Sequence, residues 1–292
     1  MNRTPLLVLA VAVGLGLAPA ALAQPAAGKM IAFSPIPQRV ATADAVVVGK
    51  VTAIEDKTVT AEPMPGATNK VEYEVAVIKI GDGLLGTKGL THVKVGMPKP
   101  PAGGRGIRPG GYGPPKLTVD QEGVFFLNKH PTESFYLLLS PTSVISKASN
   151  DNYEKELARV KECAKLLADP RGGLKSKDAD ERLLTAGLLV AHYRAWGHRP
   201  NVKKEDIDAD ESKLILKALG EADWTKAYTH EAISPLQTFA QLGMTEKDGW
   251  SWKPTPGVPL PPNAYADAAK EWVKSHADTY RIQRVVEEKK EK

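Results

Sequence analysis

The chain has 292 residues, a net charge of +5 and a single cysteine, Cys163. One cysteine excludes an internal disulfide and a zinc site built from several thiolates, so the domains must be stabilised by apolar cores. The positive charge is local: residues 24–150 carry a surplus of four cations, whereas residues 151–292 hold 24 basic and 24 acidic residues.

The first 23 residues have the pattern of a cleavable secretory signal peptide. Arg3 precedes an uncharged apolar run from Leu6 to Leu22, and the small residues Ala21 and Ala23 match the preference of a signal peptidase. We expect cleavage between Ala23 and Gln24, export to the periplasm or the external medium, and no membrane span afterwards. An uncleaved anchor would need about 20 apolar residues.

After a linker over residues 24–43, residues 44–148 are predicted to form strands. Residues 45–54 are rich in β-branched side chains and suit a largely buried strand, in which Gly49 would introduce a bulge or bend. A second strand over residues 71–80 is expected to end in a turn at Gly81-Asp82-Gly83. Further strands are predicted at residues 92–95, 123–127 and 135–139, with Val144 and Ile145 extending the sheet. Five or six short strands without intervening helices predict a small antiparallel barrel of the OB type.

Residues 44–145 resemble the netrin-like, or tissue-inhibitor-of-metalloproteinase-like, version of the OB barrel. The resemblance lies in Ala-Asp-Ala-Val-Val-Val-Gly-Lys-Val, in Lys-Ile-Gly-Asp-Gly-Leu-Leu-Gly and in Glu-Gly-Val-Phe-Phe-Leu. It implies a secreted five-stranded barrel. Members of that family are stapled by disulfides and use an N-terminal cysteine as a metal ligand, and this region has no cysteine. Metalloproteinase inhibition by that mechanism is therefore not implied.

A Gly- and Pro-rich loop over residues 98–115 interrupts the strands. Arg105, Arg108 and Tyr112 are candidate ligand-binding residues for a phosphate, a sulfate or an acidic polymer, and a surface excursion without a ligand is the alternative. The loop lacks the Gly-Lys-Ser/Thr ending of a nucleotide-binding loop. We expect no nucleic-acid partner, because the chain is exported and this loop holds a single aromatic residue.

Residues 149–292 are predicted to form an α-helical domain, either a bundle or HEAT-like helix pairs. Helices are expected over residues 153–167, 179–196, 211–219, 234–241 and 264–286, with the second of them central. Cys163 lies on an amphipathic pattern, and we expect it to be a buried apolar side chain. A last Pro-rich stretch, residues 250–262, carries the candidate ligand-binding residues Trp250 and Trp252, which could instead be packed into grooves of the helical domain.

Two apparent metal patterns in the helical half are rejected. Asp206, Asp208 and Asp210 alternate as in a calcium loop, but Glu211 and Lys217 occupy the places that need Gly and Glu. We expect Asp208 or Asp210 to cap a helix instead. His192 and His198 are six residues apart, a spacing at which two side chains on one helix do not converge on a zinc ion.

These patterns predict an exported, non-catalytic binding or scaffold protein without a cofactor or a metal. Its partner would be an envelope or extracellular protein or a polyanion. No Gly-x-Ser-x-Gly or His-Glu-x-x-His sequence occurs. The alternative is an extracytoplasmic hydrolase with an acidic site between the domains, built from carboxylates and His192.

Overall fold

The structure is a computed structural model that describes residues 34–99, 116–195, 201–225, 232–254, 259 and 261–288. The predicted signal peptide and the candidate residues Arg105, Arg108 and Tyr112 lie outside these ranges. The strands are β1 (Ala45–Ile54), β2 (Val59–Ala61), β3 (Val71–Leu85), β4 (His92–Pro98), β5 (Glu122–Lys129), β6 (Tyr136–Leu137), β7 (Val144–Ser146), β8 (Val202–Asp206) and β9 (Gln283–Glu287). The helices are α1 (Ile36–Thr42), α2 (Tyr153–Ala168), α3 (Pro170–Leu174), α4 (Ala179–Arg194), α5 (Ala209–Glu221), α6 (Pro235–Leu242) and α7 (Ala264–His276).

Five strands close into a barrel in the order β1-β3-β4-β6-β5, with β5 pairing back to β1. All of these pairings are antiparallel except β4 with β6, which is parallel and corrects the purely antiparallel prediction. Strand β2 adds to the edge of β3, and β7 adds to β5. The barrel followed by helices confirms the predicted order of β and α structure.

The first half of β1 and the middle of β5 are buried on both of their faces. Val47 and Phe125 point into the barrel, where they belong to one apolar cluster, while Val46 and Phe126 belong to a second cluster shared with α1, α2 and α4. A strand covered on both faces has no need of polar residues at alternate positions. This explains the apolar runs over residues 45–48 in β1 and 124–127 in β5.

Gly49 causes the bend predicted in β1. The pairing of β1 with β3 shifts register between Val48 and Gly49, whereas the pairing of β1 with β5 continues without interruption. A Cβ atom at Gly49 would lie 2.6 Å from the carbonyl oxygen of Lys79. Glycine therefore allows the two strands to approach closely at the bulge.

The turn predicted at residues 81–83 is wrong, because β3 continues through these residues to Leu85. Asp82 pairs with Val48, and Gly83 pairs with Val47. The two glycines suggested a turn from local sequence alone. In the folded chain the partner strand β1 is long enough to keep β3 extended, and pairing across the sheet outweighs the local preference.

Helix α4 is central, as predicted. Leu183, Leu189 and Val190 join the cluster shared with α5, α6 and α7, while Leu184 and Leu188 join the cluster that covers the barrel. Helix α1 occupies residues 36–42 of the predicted linker, and its Ile36 and Val40 are fully buried in the second of these clusters. From Ser34 onwards the chain packs as one unit.

The last predicted helix ends earlier than expected, at His276, and is followed by β9, which pairs with β8. Strand β8 was not predicted, because Val-Lys-Lys-Glu-Asp has no apolar alternation. The ladder continues at one end through a hydrogen bond from the backbone NH of Ile207 to the carbonyl oxygen of Ile282. Such a pairing between distant segments cannot be read from local periodicity. No helix within the described ranges is long and apolar enough to cross a membrane.

Gly123 and Gly81 make a matched pair for testing the close contacts of the barrel. A Cβ atom at Gly123 would lie 2.3 Å from the carbonyl oxygen of Ile145 in β7, whereas one at Gly81 would meet its nearest atom at 3.5 Å. We expect Gly123→Ala to lower the free energy of unfolding by about 2 kcal/mol, the usual cost of overpacking, and Gly81→Ala to change it by less than about 1 kcal/mol. Urea unfolding followed by circular dichroism measures both, and equal stabilities would contradict the β5–β7 geometry.

Candidate functional site

A pocket of about 260 Å³ lies where strands β1, β3 and β5 meet the start of α2. Three strands line the pocket, with residues from the middle of β1, the second half of β3 and the start of β5. Helix α2 contributes its first residue. The lining residues are Val48, Gly49, Lys50, Lys79, Ile80, Gly81, Glu122, Gly123, Lys147 and Tyr153.

The floor of the pocket consists of apolar side chains and of backbone atoms at glycines, which no side chain covers. Val48 and Ile80 are partly buried and flank the three lining glycines. Gly49 and Gly123 are required by the close packing of the strands, and a consequence is that no side chains fill the pocket at these positions. Gly81 differs from them, because a side chain there would have room.

Tyr153 forms one wall of the pocket and is 6% exposed. It begins α2, just after the helix-capping residue Asn152. Burial raises the pKa of the Tyr153 phenol, while the ammonium groups of Lys147 and Lys161 oppose that rise. The phenol is therefore neutral at physiological pH, and its hydroxyl can donate a hydrogen bond.

Three lysines form the rim. The ammonium group of Lys50 lies 2.8 Å from Asp120, and that of Lys147 lies 3.2 Å from Glu122. The hydrogen bond and charge of Asp120 raise the pKa of Lys50. Lys79 is exposed and forms no ion pair with any residue that the structure describes. The lining therefore holds three cations and one carboxylate, with the uncompensated charge on Lys79.

Sequence reasoning did not select any of these residues as a site. No unusual sequence feature marks the segments Gly49-Lys50 and Lys79-Ile80-Gly81 within their strands. Two further lining residues, Lys147 and Tyr153, follow about a hundred residues after β1. A cation beside a glycine in two predicted strands is the only local signal. The pocket exists because the pairing of β1 with both β3 and β5 brings these short segments together.

The structure places Trp250 and Trp252 in the helical region, on either side of Tyr265. The ring of Trp250 makes edge contacts with Phe239 at 4.8 Å and with Tyr265 at 5.7 Å between ring centroids, and Trp252 contacts Tyr265 at 5.2 Å. Neither tryptophan lines the barrel pocket. Trp250 packs against the main helical core, and a binding role for the pair stays a prediction.

His192 and two acidic residues of the helical half, Asp208 and Asp248, have structural partners. The Nδ1 atom of His192 donates a hydrogen bond to the carbonyl oxygen of Ala41 at 2.9 Å, joining α4 to α1. Asp208 caps α5 by accepting a hydrogen bond from the backbone NH of Glu211, as predicted. Asp248 accepts hydrogen bonds from Thr245 at a turn. Among the described residues, no cluster of three or more His, Cys, Asp or Glu side chains is arranged to hold a metal ion.

We expect Trp250→Ala to lower the free energy of unfolding by about 2–3 kcal/mol, because it removes a large aromatic side chain from the helical core. Trp252→Ala is expected to cost about half as much, since Trp252 contacts Tyr265 at the edge of the same group of rings. Chemical denaturation of the two variants measures the difference. A Trp250→Ala variant as stable as the unchanged chain would contradict a stabilising role of this ring in the helical core.

Cys163 is fully buried, which confirms the sequence prediction, and burial raises the pKa of its thiol to about 12. Only the thiolate reacts with disulfide reagents. We therefore expect no reaction of the native chain with an aromatic disulfide reagent at mildly alkaline pH and one equivalent after denaturation. Rapid labelling of the native chain would contradict the packing of α2 against the barrel.

No protein-family model matches the chain, and no curated protein matches it significantly. The function must therefore be inferred from the geometry and chemistry of the described residues.

Proposed function

We propose that the protein is an exported, non-catalytic binding protein whose barrel pocket holds an amphipathic anion. The observation that carries this proposal is the combination of an apolar floor with a cationic rim in one preformed depression. The apolar part of such a ligand would cover Val48 and Ile80, and its carboxylate, sulfonate or phosphate would meet the ammonium group of Lys79.

The charges of the rim favour an anion over a neutral ligand. Lys50 and Lys147 already have carboxylate partners, so Lys79 is the group that gains an ion pair when a ligand arrives. A hydrogen bond to a charged group contributes about 1.5–3 kcal/mol. The neutral phenol of Tyr153 would add a donor beside it, and the apolar floor would supply affinity by the loss of water from both surfaces.

Binding without catalysis is supported by the single carboxylate of the pocket. Within the described lining, Glu122 is that carboxylate, and it forms an ion pair with Lys147. General acid–base hydrolysis by carboxylates requires two such groups facing the substrate. The lining offers one such carboxylate, Glu122, and it is already paired with Lys147.

The proposal includes an OB-like barrel of the netrin type over residues 44–148, a helical domain over residues 149–292 and export through a cleaved signal peptide. The strand order β1-β3-β4-β6-β5 supports the OB assignment, since a small five-stranded Greek-key barrel is its defining architecture. The apolar run before Ala23 supports export. The candidate ligand-binding residues Arg105, Arg108 and Tyr112 belong to the proposal as further contacts to an anionic partner.

The pocket can be tested with anilinonaphthalene sulfonate, a fluorescent amphipathic anion. We expect one saturable site on the purified full chain. Lys79→Ala is expected to weaken binding about tenfold, the loss of a charge-assisted contact, and Gly81→Leu to abolish it by filling the pocket. Lys88→Ala is the matched control, because Lys88 is exposed on a turn away from the lining residues.

Competition defines the chemical class of the ligand. Decanoate should displace the probe, whereas inorganic phosphate at the same ionic strength should not, because phosphate has no apolar part to cover the floor. Equal effects of Lys79→Ala and Lys88→Ala, or unchanged binding by Gly81→Leu, would refute the pocket as the binding site. Thermal unfolding of each variant separates lost binding from lost folding.

A further inference from the structure

A second amphipathic depression lies in the helical region, between α3, α4 and α5. It has a volume of about 390 Å³, and its lining residues are Leu174, Lys175, Ser176, Arg182, Leu214, Lys217, Ala218 and Glu221. We call it the α3–α5 groove. Leu174 and Ala218 are buried at its base, and Leu214 is partly buried beside them. The base is therefore apolar, whereas the rim is charged.

Arg182 is held in place by three groups. Its Nη1 atom donates hydrogen bonds to the carbonyl oxygens of Ser176 at 2.9 Å and Lys177 at 3.1 Å, and its Nη2 atom donates to Glu221 at 2.9 Å. The side chain is 21% exposed. A guanidinium fixed in this way needs little further ordering when it contributes its charge to a bound anion.

The groove carries more positive charge than its single carboxylate can balance. Glu221 is shared between Arg182 and the more distant ammonium group of Lys217, at 3.9 Å. Lys175 forms no ion pair with the described residues. Elsewhere in this region Arg171 and Lys213 have their own partners, Asp208 and Asp278. The Glu181 carboxylate lies beside the lining, where it accepts a hydrogen bond from Ser176 at 3.1 Å, so the groove and its border carry a surplus of one cation in a half of the chain whose total charge is zero.

We propose that the α3–α5 groove is a docking site for an acidic segment of a partner protein, in which carboxylates alternate with aliphatic side chains. The carboxylates would lie against Lys175 and Lys217, and an aliphatic side chain would cover Leu214 and Ala218. Charge complementarity calls for an acidic partner. The apolar base favours a peptide over a sulfated polysaccharide or a nucleic acid, which have no aliphatic side chains to place there.

This site is independent of the barrel pocket, because the two share no lining residue. It gives the protein a partner-binding surface in addition to the proposed anion pocket. The groove is built by α3, α4 and α5, whereas the pocket is built by β1, β3, β5 and the start of α2. Each can be disabled while the other stays intact.

The test uses a fluorescein-labelled peptide of alternating leucine and glutamate, titrated with the full chain at low ionic strength and followed by fluorescence anisotropy. We expect Lys175→Glu combined with Lys217→Glu to weaken binding at least about tenfold through charge reversal at the contact. The matched control is Lys165→Glu combined with Lys274→Glu, which changes the net charge equally on exposed positions of α2 and α7. The control should weaken binding less than about twofold, by long-range electrostatics alone.

Two further measurements test the apolar base of the groove and its independence from the barrel pocket. A peptide with serine in place of leucine should bind at least about tenfold more weakly, because it cannot cover the apolar base. Gly81→Leu, which fills the barrel pocket, should leave peptide binding unchanged. No binding of the leucine–glutamate peptide, equal losses in groove and control variants, or equal binding of the serine peptide would overturn the proposal. Lys175→Ala with Lys217→Ala provides a gentler variant if the charge reversal impairs folding.

Discussion

Burial of the first half of β1 and the middle of β5 on both faces is the constraint on which the rest of this structure depends. Phe125 fills the barrel interior, and the next residue, Phe126, packs against the helices. Arg39 of α1 stacks its guanidinium 4.9 Å from the Phe126 ring centroid and donates to the carbonyl oxygen of Thr142. Burial lowers the pKa of Arg39, yet arginine keeps its charge in proteins. Separating helices from barrel would therefore expose Phe126 and unpair a largely buried cation.

The barrel pocket follows from the same arrangement. Helix α2 begins at Tyr153, which lines the pocket and belongs to the cluster between barrel and helices. Val48 is partly buried against that same cluster, whereas Ile80 is partly buried against the cluster inside the barrel. The pocket therefore lies where residues of the two apolar clusters reach the surface. Lysines suit such a border, because their stems are apolar and their ammonium groups stay in water.

Much of the fold follows from local sequence, whereas the candidate sites do not. Local side-chain chemistry is enough to predict the apolar runs of β1 and β5, the bend at Gly49 and the burial of Cys163. The extension of β3 through Gly83 and the β8–β9 pairing depend on partners distant in the chain. The pocket requires three strands and a helix start in register. No periodicity in one segment carries that information.

Helix α4 packs into both apolar clusters, and this packing connects the two proposed binding sites. Helix α4 contributes Leu188 to the cluster beneath α1 and α2 and Leu189 to the cluster beneath α5, so one helix contacts both halves. The barrel pocket is attached to the first cluster through Tyr153, and the α3–α5 groove is attached to the second through Leu174 and Ala218. A close-packed core holds such surfaces at a fixed separation, because interiors resist deformation. The proposed anion pocket and the proposed groove for an acidic segment therefore lie on one compact unit, joined through the two clusters that α4 connects.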